Sequence, residues 1–215
     1  MLAEMAASLS AHDRDEMAIP SYRHPNPAMR WMAWRRVEVI AGYLDDLAAK
    51  GEKARVLLDF GCGTGVLFER EAAVAERVVG VDLVLGPARQ LADAWGIDVE
   101  LMGPDEAAET IAPGSVDIIL AAEVLEHVEP LEPTLDMFAR WLKADGHLLV
   151  SVPTENRLYR LGRRLAGFEG HYHHDNAESI DRAIRNAGFV RQRRRSIPLP
   201  GPLAIYWVLD YTRPG

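Results

Sequence analysis

Blocks of apolar residues alternate with amphipathic blocks between residues 53 and 190. The apolar blocks are short and continuous, as buried strands require, and they read RVLLDF (55–60), RVVGVDL (77–83), DVELMG (98–103), SVDIILAAEV (115–124) and HLLVSVP (147–153). The blocks between them have helical spacing, at 66–75, 87–95 and 131–144. Strands buried on both faces that alternate with helices are typical of a doubly wound, mostly parallel sheet. The pattern therefore predicts an α/β fold.

Further helices and strands flank this core. A helical pattern covers 28–50, and another covers 177–188, with Asp175 or Asn176 as its expected N-cap and Gly188 as its stop. The segments FVRQRRRSI and LAIYWVLDYT predict two last strands. We interpret the arginine run 191–195 as the charged face of an edge strand, with a phosphate or membrane-surface contact as the alternative. We expect residues 1–52 to be an N-terminal helical extension and 53–215 to be one ligand-binding domain.

Composition and charge exclude several classes of protein. The 215-residue chain has a formal net charge of −8, which argues against general nucleic-acid binding. Its one cysteine, Cys62, excludes an internal disulfide and suits a reducing compartment. No apolar run approaches the roughly 18 residues of a transmembrane helix, and the first residues lack the pattern of a signal peptide. We therefore expect a cytoplasmic protein without a transmembrane segment.

A glycine triplet follows the first predicted strand, in VLLDFGCGTG (56–65). A P-loop would carry a lysine and a hydroxyl residue after its last glycine, but Val66 and Leu67 stand there. The dinucleotide fingerprint G-x-G-x-x-G has its third glycine one residue later than this triplet. The spacing therefore argues against a nucleoside triphosphate, and it leaves an NAD-dependent oxidoreductase as a weaker alternative.

Two acidic residues narrow the chemistry of the ligand. The glycine turn precedes a helix, so its backbone N–H groups and the helix dipole face a bound molecule. Asp82 ends the second strand, where an acid can accept hydrogen bonds from both hydroxyls of a ribose. Asp59, directly before the glycines, would repel a pyrophosphate and attract an ammonium group. A ligand with adenosine, a positive charge and no phosphate is required, and S-adenosylmethionine fits.

With these motifs, the sequence resembles the class I, Rossmann-like methyltransferases that use S-adenosylmethionine, and within them the ubiquinone-pathway or type 11 group. LLDFGCGTG looks like their first motif and VVGVDL like their second, while SVDIILAAEVLEHV and HLLVSVP resemble the motifs of the fourth and fifth strands. The resemblance implies a seven-stranded sheet whose last strand is antiparallel. It also implies that the cofactor lies across the carboxyl ends of strands one and four.

The resemblance implies a set of cofactor-binding residues. They are Asp59, Gly61, Cys62, Gly63, Asp82, Leu83, Asp105 and Glu123. Within this set, the glycines let the backbone approach the methionine part, and Asp59 binds its amino group directly or through water. Asp82 would hold the ribose and Leu83 would contact the adenine. Asp105 would accept from the adenine amino group, with Glu106 as the alternative.

The segment EVLEHV (123–128) has two interpretations. In the favoured one, Glu123 ends a strand near the cofactor and His127 packs at the start of the next helix, because generic members of the class carry this string without a metal. In the other, Glu123, Glu126 and His127 bind a divalent cation. That string is similar to the E-x-x-E-H metal motif of ubiquinone-pathway O-methyltransferases and small-RNA 3′-end methyltransferases. His127 and His171, the latter in GHYHHDN (170–176), are the candidate general bases.

The expected function is methyl transfer to a small molecule that carries a hydroxyl group. A cofactor-binding module without catalysis is the alternative from another class. The segment around Tyr22, Arg23 and His24 either closes over the cofactor as a lid or covers a sheet edge.

Overall fold

The computed structural model describes residues 19–49, 51, 53–154, 156 and 176–213. A seven-stranded sheet is formed by β1 (Ala54–Phe60), β2 (Ala75–Val81), β3 (Glu100–Met102), β4 (Val116–Ala122), β5 (Leu142–Pro153), β6 (Val190–Pro198) and β7 (Ala204–Thr212). Their order is β3-β2-β1-β4-β5-β7-β6. The pairs β1–β2, β2–β3 and β4–β5 are parallel, whereas β7 is antiparallel to both β5 and β6. The predicted mostly parallel, seven-stranded α/β fold is confirmed.

Helices precede and connect these strands. They are α1 (Ile19–Tyr22), α2 (Pro27–Ala48), α3 (Phe68–Val74), α4 (Gly86–Trp95), α5 (Pro104–Thr110), α6 (Glu132–Trp141) and α7 (Ala177–Asn186), with 3-10 turns at Leu125–His127 and Gly201–Leu203. Asn176 caps α7 as expected: its side chain accepts from the N–H of Ser179, and the Ser179 hydroxyl accepts from the N–H of Asn176. Polar side chains and glycines thus set the helix ends that the sequence signals.

Contacts group the chain into two compact units, Met1–Thr110 and Ile111–Gly215. In the first, fully buried Leu57, Leu58 and Val79 come from β1 and β2. In the second, Ile119 and Leu148 from β4 and β5 are fully buried. The boundary near residue 52 that the sequence suggests stays a prediction. Among the described helices, none is long and apolar enough to cross a membrane.

Two elements differ from the sequence pattern. Helix α5 is absent from the predicted set, although Pro104 at its first position and Asp105 and Glu106 in its first turn favour a helix start. Strand β5 begins at Leu142 instead of residue 147, and its register against β4 shifts between Val116 and Ile118. In both places the deciding residues form a short stretch, which the longer apolar blocks of the sequence obscure.

Candidate cofactor site

The glycine loop is fixed to the end of β2. The N–H groups of Gly61 and Cys62 both donate to the carbonyl of Val81, at 2.8 and 3.2 Å. Within the loop, the N–H of Gly65 donates to the carbonyl of Cys62 at 2.8 Å. These bonds hold the backbone between β1 and α3 in one conformation at the carboxyl end of the first unit's strands.

Two of the loop glycines are required for different reasons. Gly63 and Gly65 have φ of 54° and 76°, in the left-handed region that other residues avoid. A Cβ on Gly65 would overlap the buried ring of Phe68, so packing also excludes a side chain there. A Cβ on Gly63 would meet no atom within 4 Å. Gly63 therefore leaves open space beside the backbone, as the approach of a ligand requires.

Asp82 joins the first two motifs directly. Its Oδ2 accepts from the N–H of Gly63 at 2.8 Å, and its Oδ1 accepts from the N–H of Val84 at 3.1 Å. Each carboxylate oxygen has a second lone pair, so both can still accept from a ribose hydroxyl. The next residue, Leu83, is 83% exposed. The structure thus brings Asp82 to the loop and leaves Leu83 accessible at its side.

Asp105 follows the neighbouring strand at the same edge. Strand β3 is parallel to β2, with Val81 opposite Met102, and the N–H of Asp82 donates to the carbonyl of Met102 at 3.3 Å. Asp105 lies three residues after the end of β3, exposed in the first turn of α5. Glu106 is exposed beside it. This position is compatible with an adenine contact from either acid, and the assignment to Asp105 stays a prediction.

Asp59 is a buried carboxyl near the end of β1, just before the glycine loop in the sequence. It is 3% exposed, and burial raises its pKa from the ordinary 3.8 to about 7, opposed by a hydrogen bond with Glu71 and assisted by the charge of Asp82. A nearby cation would favour the ionised form of Asp59 and so offset the effect of its burial. Asp59 therefore fits the expected amino-group ligand electrostatically.

Cys62 has the properties of a packing residue. It is buried, and burial, followed by the charges of Asp59 and Asp82, raises the pKa of its thiol well above the ordinary value. A thiol that stays protonated is a poor nucleophile. Its Sγ would be 3.2 Å from a Cβ on Gly80, so it fills the space beside β2.

Glu71 is a buried acid that the sequence analysis missed. It lies on α3 with 0% exposure, although its neighbours Glu69 and Arg70 are exposed. The charged string FEREA looks like a solvated helix surface. The signal was the helical phase, because Glu71 is three residues after the buried Phe68 and so shares its face.

The second unit holds Glu123 in an uncommon conformation. Its φ is 58°, which few residues other than glycine adopt. Ser151 of β5 fixes it, since the Ser151 hydroxyl donates to Glu123 Oε1 at 2.7 Å and the Glu123 N–H donates to the Ser151 carbonyl at 2.8 Å. Backbone strain that neighbouring residues stabilise in this way is frequent at functional sites.

The proposed metal ligands are not assembled as a metal site. Glu126 is 2% exposed and its carboxyl faces the protein, whereas His127 in the same 3-10 turn is exposed. Over the described ranges, no group of three His, Cys, Asp or Glu side chains is placed to hold a metal ion. His171, the other candidate base, lies outside the described residues, as do His173 and His174.

The arginine run lies on β6, the last strand of the sheet order, as expected for an edge. Arg191 donates to Asp181 at 2.8 Å and Arg193 to the buried Asp210 at 3.1 Å. The Arg194 guanidinium lies 4.5 Å from the centroid of the Trp207 ring. Two of these arginines are therefore paired with acidic residues of the second unit.

In the N-terminal segment, Tyr22 packs on Trp34, and the predicted role of this segment as a lid stays a prediction.

Comparison with known proteins identifies the family. A family model described as a methyltransferase domain matches residues 31–192. The ubiquinone biosynthesis O-methyltransferase of Chelativorans sp. is 31% identical over 194 residues, which cover 82% of this chain and 75% of that protein. The protein of the same name from Cupriavidus pinatubonensis is 34% identical over 120 residues, or 54% of this chain and 47% of that protein. The chain thus spans about half the length of several curated relatives it matches.

A solved structure agrees in fold. Magnesium protoporphyrin IX methyltransferase from Synechocystis PCC 6803, with bound S-adenosylhomocysteine, gives a TM-score of 0.70 at 19% identity and covers 98% of this chain and 99% of that one. The chain belongs to the methyltransferase-domain family, as the resemblance implied. Its methyltransferase domain has a Rossmann-like fold.

Proposed function

We propose that the protein transfers a methyl group to a hydroxyl oxygen of a small molecule. One observation carries the cofactor part of the proposal: the Asp82 carboxylate accepts from the Gly63 N–H at 2.8 Å, and its charge acts on the buried Asp59. The choice of oxygen as the acceptor is supported by the O-methyltransferases to which the chain is similar.

The described residues have distinct roles in this proposal. Gly63 presents open backbone to the methionine part, and Asp59 neutralises its ammonium group. Asp82 accepts from the ribose hydroxyls through its remaining lone pairs, and the exposed Leu83 covers one face of the adenine. When bound, S-adenosylmethionine supplies a methyl group activated by a sulfonium sulfur. These residues hold the cofactor in one orientation, which is the main catalytic contribution such a reaction needs.

A hydroxyl acceptor must lose its proton as its oxygen gains the methyl group. An imidazole titrates near neutral pH and can take that proton. His127 and His171 stay the candidate bases. Substitution of the true base by alanine would lower the turnover rate and leave the dissociation constant of S-adenosylhomocysteine unchanged.

The test begins with calorimetric titration of the purified protein with S-adenosylhomocysteine, after metal removal and again with magnesium. We expect micromolar or tighter binding. A panel of hydroxyl, amine and carboxylate acceptors then follows, with the product identified by mass spectrometry. Absence of binding by a folded sample, or tighter binding of NAD, would contradict the cofactor assignment. Turnover of amines alone would contradict the oxygen acceptor, and binding without any turnover would favour the non-catalytic module. Binding that depends on magnesium would favour the metal interpretation of Glu123, Glu126 and His127.

A further inference from the structure

Glu71 is a buried carboxyl that cofactor binding, as derived above, does not use. Its side chain is fully buried on α3, and neither carboxyl oxygen has a hydrogen-bond donor among the described residues. Burial of a polar group without a partner is costly, and native structures contain few examples. Packing alone does not explain a carboxyl group at this position, because an apolar side chain of similar size would fill the same space.

The Asp59 carboxyl lies within hydrogen-bonding reach of Glu71. Two ionised carboxylates can only accept hydrogen bonds and repel each other, but a proton on one of them makes it a donor to the other. Burial, followed by the charge of Asp59, raises the pKa of Glu71 well above the ordinary 4.5. Because neither oxygen of the fully buried Glu71 accepts a hydrogen bond from the described part of the chain that would stabilise a negative charge, Glu71 is the member of the pair that keeps the proton.

Among the residues that the structure describes, the titratable neighbours that act on the pair supply no positive charge. Asp82 and Cys62 are the other titratable groups that interact with Asp59 or Glu71. Helix α2 and strand β2 pack against α3, and the charge that raises the pKa of Glu71 is that of Asp59. The charged groups described for α2, α3 and β2 are the surface pairs Arg70–Asp45 and Arg77–Glu100, the exposed Arg30, Glu38, Asp46, Glu69 and Glu76, the half-buried Arg35, and the buried Arg36.

We propose that Glu71 is a positioning residue for the cofactor: its protonated carboxyl donates a hydrogen bond to Asp59 and holds Asp59 as a carboxylate, directed at the cofactor's ammonium group. This inference rests on the proposed function. No bond is made or broken, since the proton stays on Glu71. Without this donor, Asp59 takes a proton itself at neutral pH, and a neutral Asp59 cannot balance the positive charge of the ligand.

The test compares Glu71→Leu, which removes the donor, with Glu71→Gln, whose amide N–H₂ replaces it. S-adenosylhomocysteine binding is measured by calorimetry between pH 5.5 and 8.5 for both variants and the wild type. We expect Glu71→Leu to bind about 10–100-fold more weakly at pH 7.5, as loss of a hydrogen bond to a charged group predicts. Its affinity should recover toward higher pH, where Asp59 ionises without help. Glu71→Gln should stay within about threefold of the wild type.

The matched control is Glu69→Gln, the same change on an exposed residue of the same helix, which should leave the affinity unchanged. Infrared spectroscopy of the ligand-free protein gives a separate readout. The band of a protonated carboxylic acid should be present in the wild type near neutral pH and absent from Glu71→Gln, whereas in Glu71→Leu a band from protonated Asp59 should remain and should disappear as the pH is raised. Circular dichroism verifies that each variant is folded.

Two outcomes would overturn the inference alone. In the first, Glu71→Leu binds with the affinity and pH profile of the wild type; in the second, Glu71→Gln is as weak as Glu71→Leu. If the folded wild type fails to bind S-adenosylhomocysteine at all, the proposed function itself is wrong. The three results are distinguishable because the wild-type titration is read first.

Discussion

Gly65 combines two requirements at one residue, a left-handed φ of 76° and contact with the buried Phe68 ring. We predict that Gly65→Ala lowers the free energy of unfolding by about 2–4 kcal/mol, from left-handed strain and overpacking together. Urea denaturation measures this change. Gly86→Ala is the control, because no atom lies within 4 Å of its added Cβ and its φ is not positive. Equal effects of the two substitutions would contradict this account of the loop.

Asp82 holds the glycine loop and is the residue we propose for the ribose. We predict that Asp82→Asn weakens S-adenosylhomocysteine binding by about 10–100-fold, because it removes a charged acceptor for the ribose and for the Gly63 N–H. Isothermal titration calorimetry measures the loss. Asp93→Asn, an exposed acid on α4, should bind as the wild type does. An Asp82→Asn variant of unchanged affinity would remove Asp82 from the ribose site.

At this scale the sequence predicted which residues are candidates to bind the cofactor, but not the contacts that hold Glu123. The glycines and Asp82 were readable because their motif fixes both residue type and spacing. The support that Ser151 gives to Glu123 was not, since these residues are 28 positions apart and meet only through the pairing of β4 with β5.

On helix α3, the buried Glu71 makes the stability of the protein depend on pH. In the folded protein, the pKa of Asp59 is raised from 3.8 to about 7 and that of Glu71 is raised above 4.5, so the folded state binds more protons than the unfolded state across this window. The free energy of unfolding contributed by the pair therefore falls as pH rises from about 4 to 7. Chemical denaturation at several pH values measures this slope, which should be flatter in Glu71→Leu.

A substitution of Glu71 on the same helix should stabilise the protein. We expect Glu71→Leu to raise the free energy of unfolding by about 1–3 kcal/mol at pH 7.5, because a buried polar group gives way to an apolar one of similar size. Denaturant titration gives the value, with Glu69→Leu as the exposed counterpart on α3. A destabilised Glu71→Leu would show that the buried acid makes a net favourable contribution to folding.

Most elements were predictable from the chain, because five strands are continuous apolar runs and the helices between them have clear periodicity. The type of element was more reliable than its ends. Helix α3 begins at Phe68, two residues later than its pattern, since Val66 and Leu67 belong to the glycine turn. The short α5 was hidden because its sequence PDEAAET has one buried residue, Ala107, and therefore shows no apolar period.

For the whole molecule, ligand binding should appear as a gain in stability. S-adenosylhomocysteine at about 100 times its dissociation constant should stabilise the folded state by about 2.7 kcal/mol and raise the Tm by about 5–10 °C. NAD at the same concentration should leave the Tm unchanged, because the glycine spacing and the buried Asp59 oppose a pyrophosphate. A thermal-shift assay makes both measurements, and a larger shift with NAD would contradict the methyltransferase cofactor assignment.

The buried acid on α3 also has a consequence for protein engineering. A library selected for heat resistance alone would enrich apolar substitutions at position 71, since they remove the cost of its burial. The selected variants would be easy to express and crystallise. They would, however, need a more alkaline buffer to bind their cofactor. A screen that selects for heat resistance and for cofactor retention near neutral pH would instead favour an amide at this position.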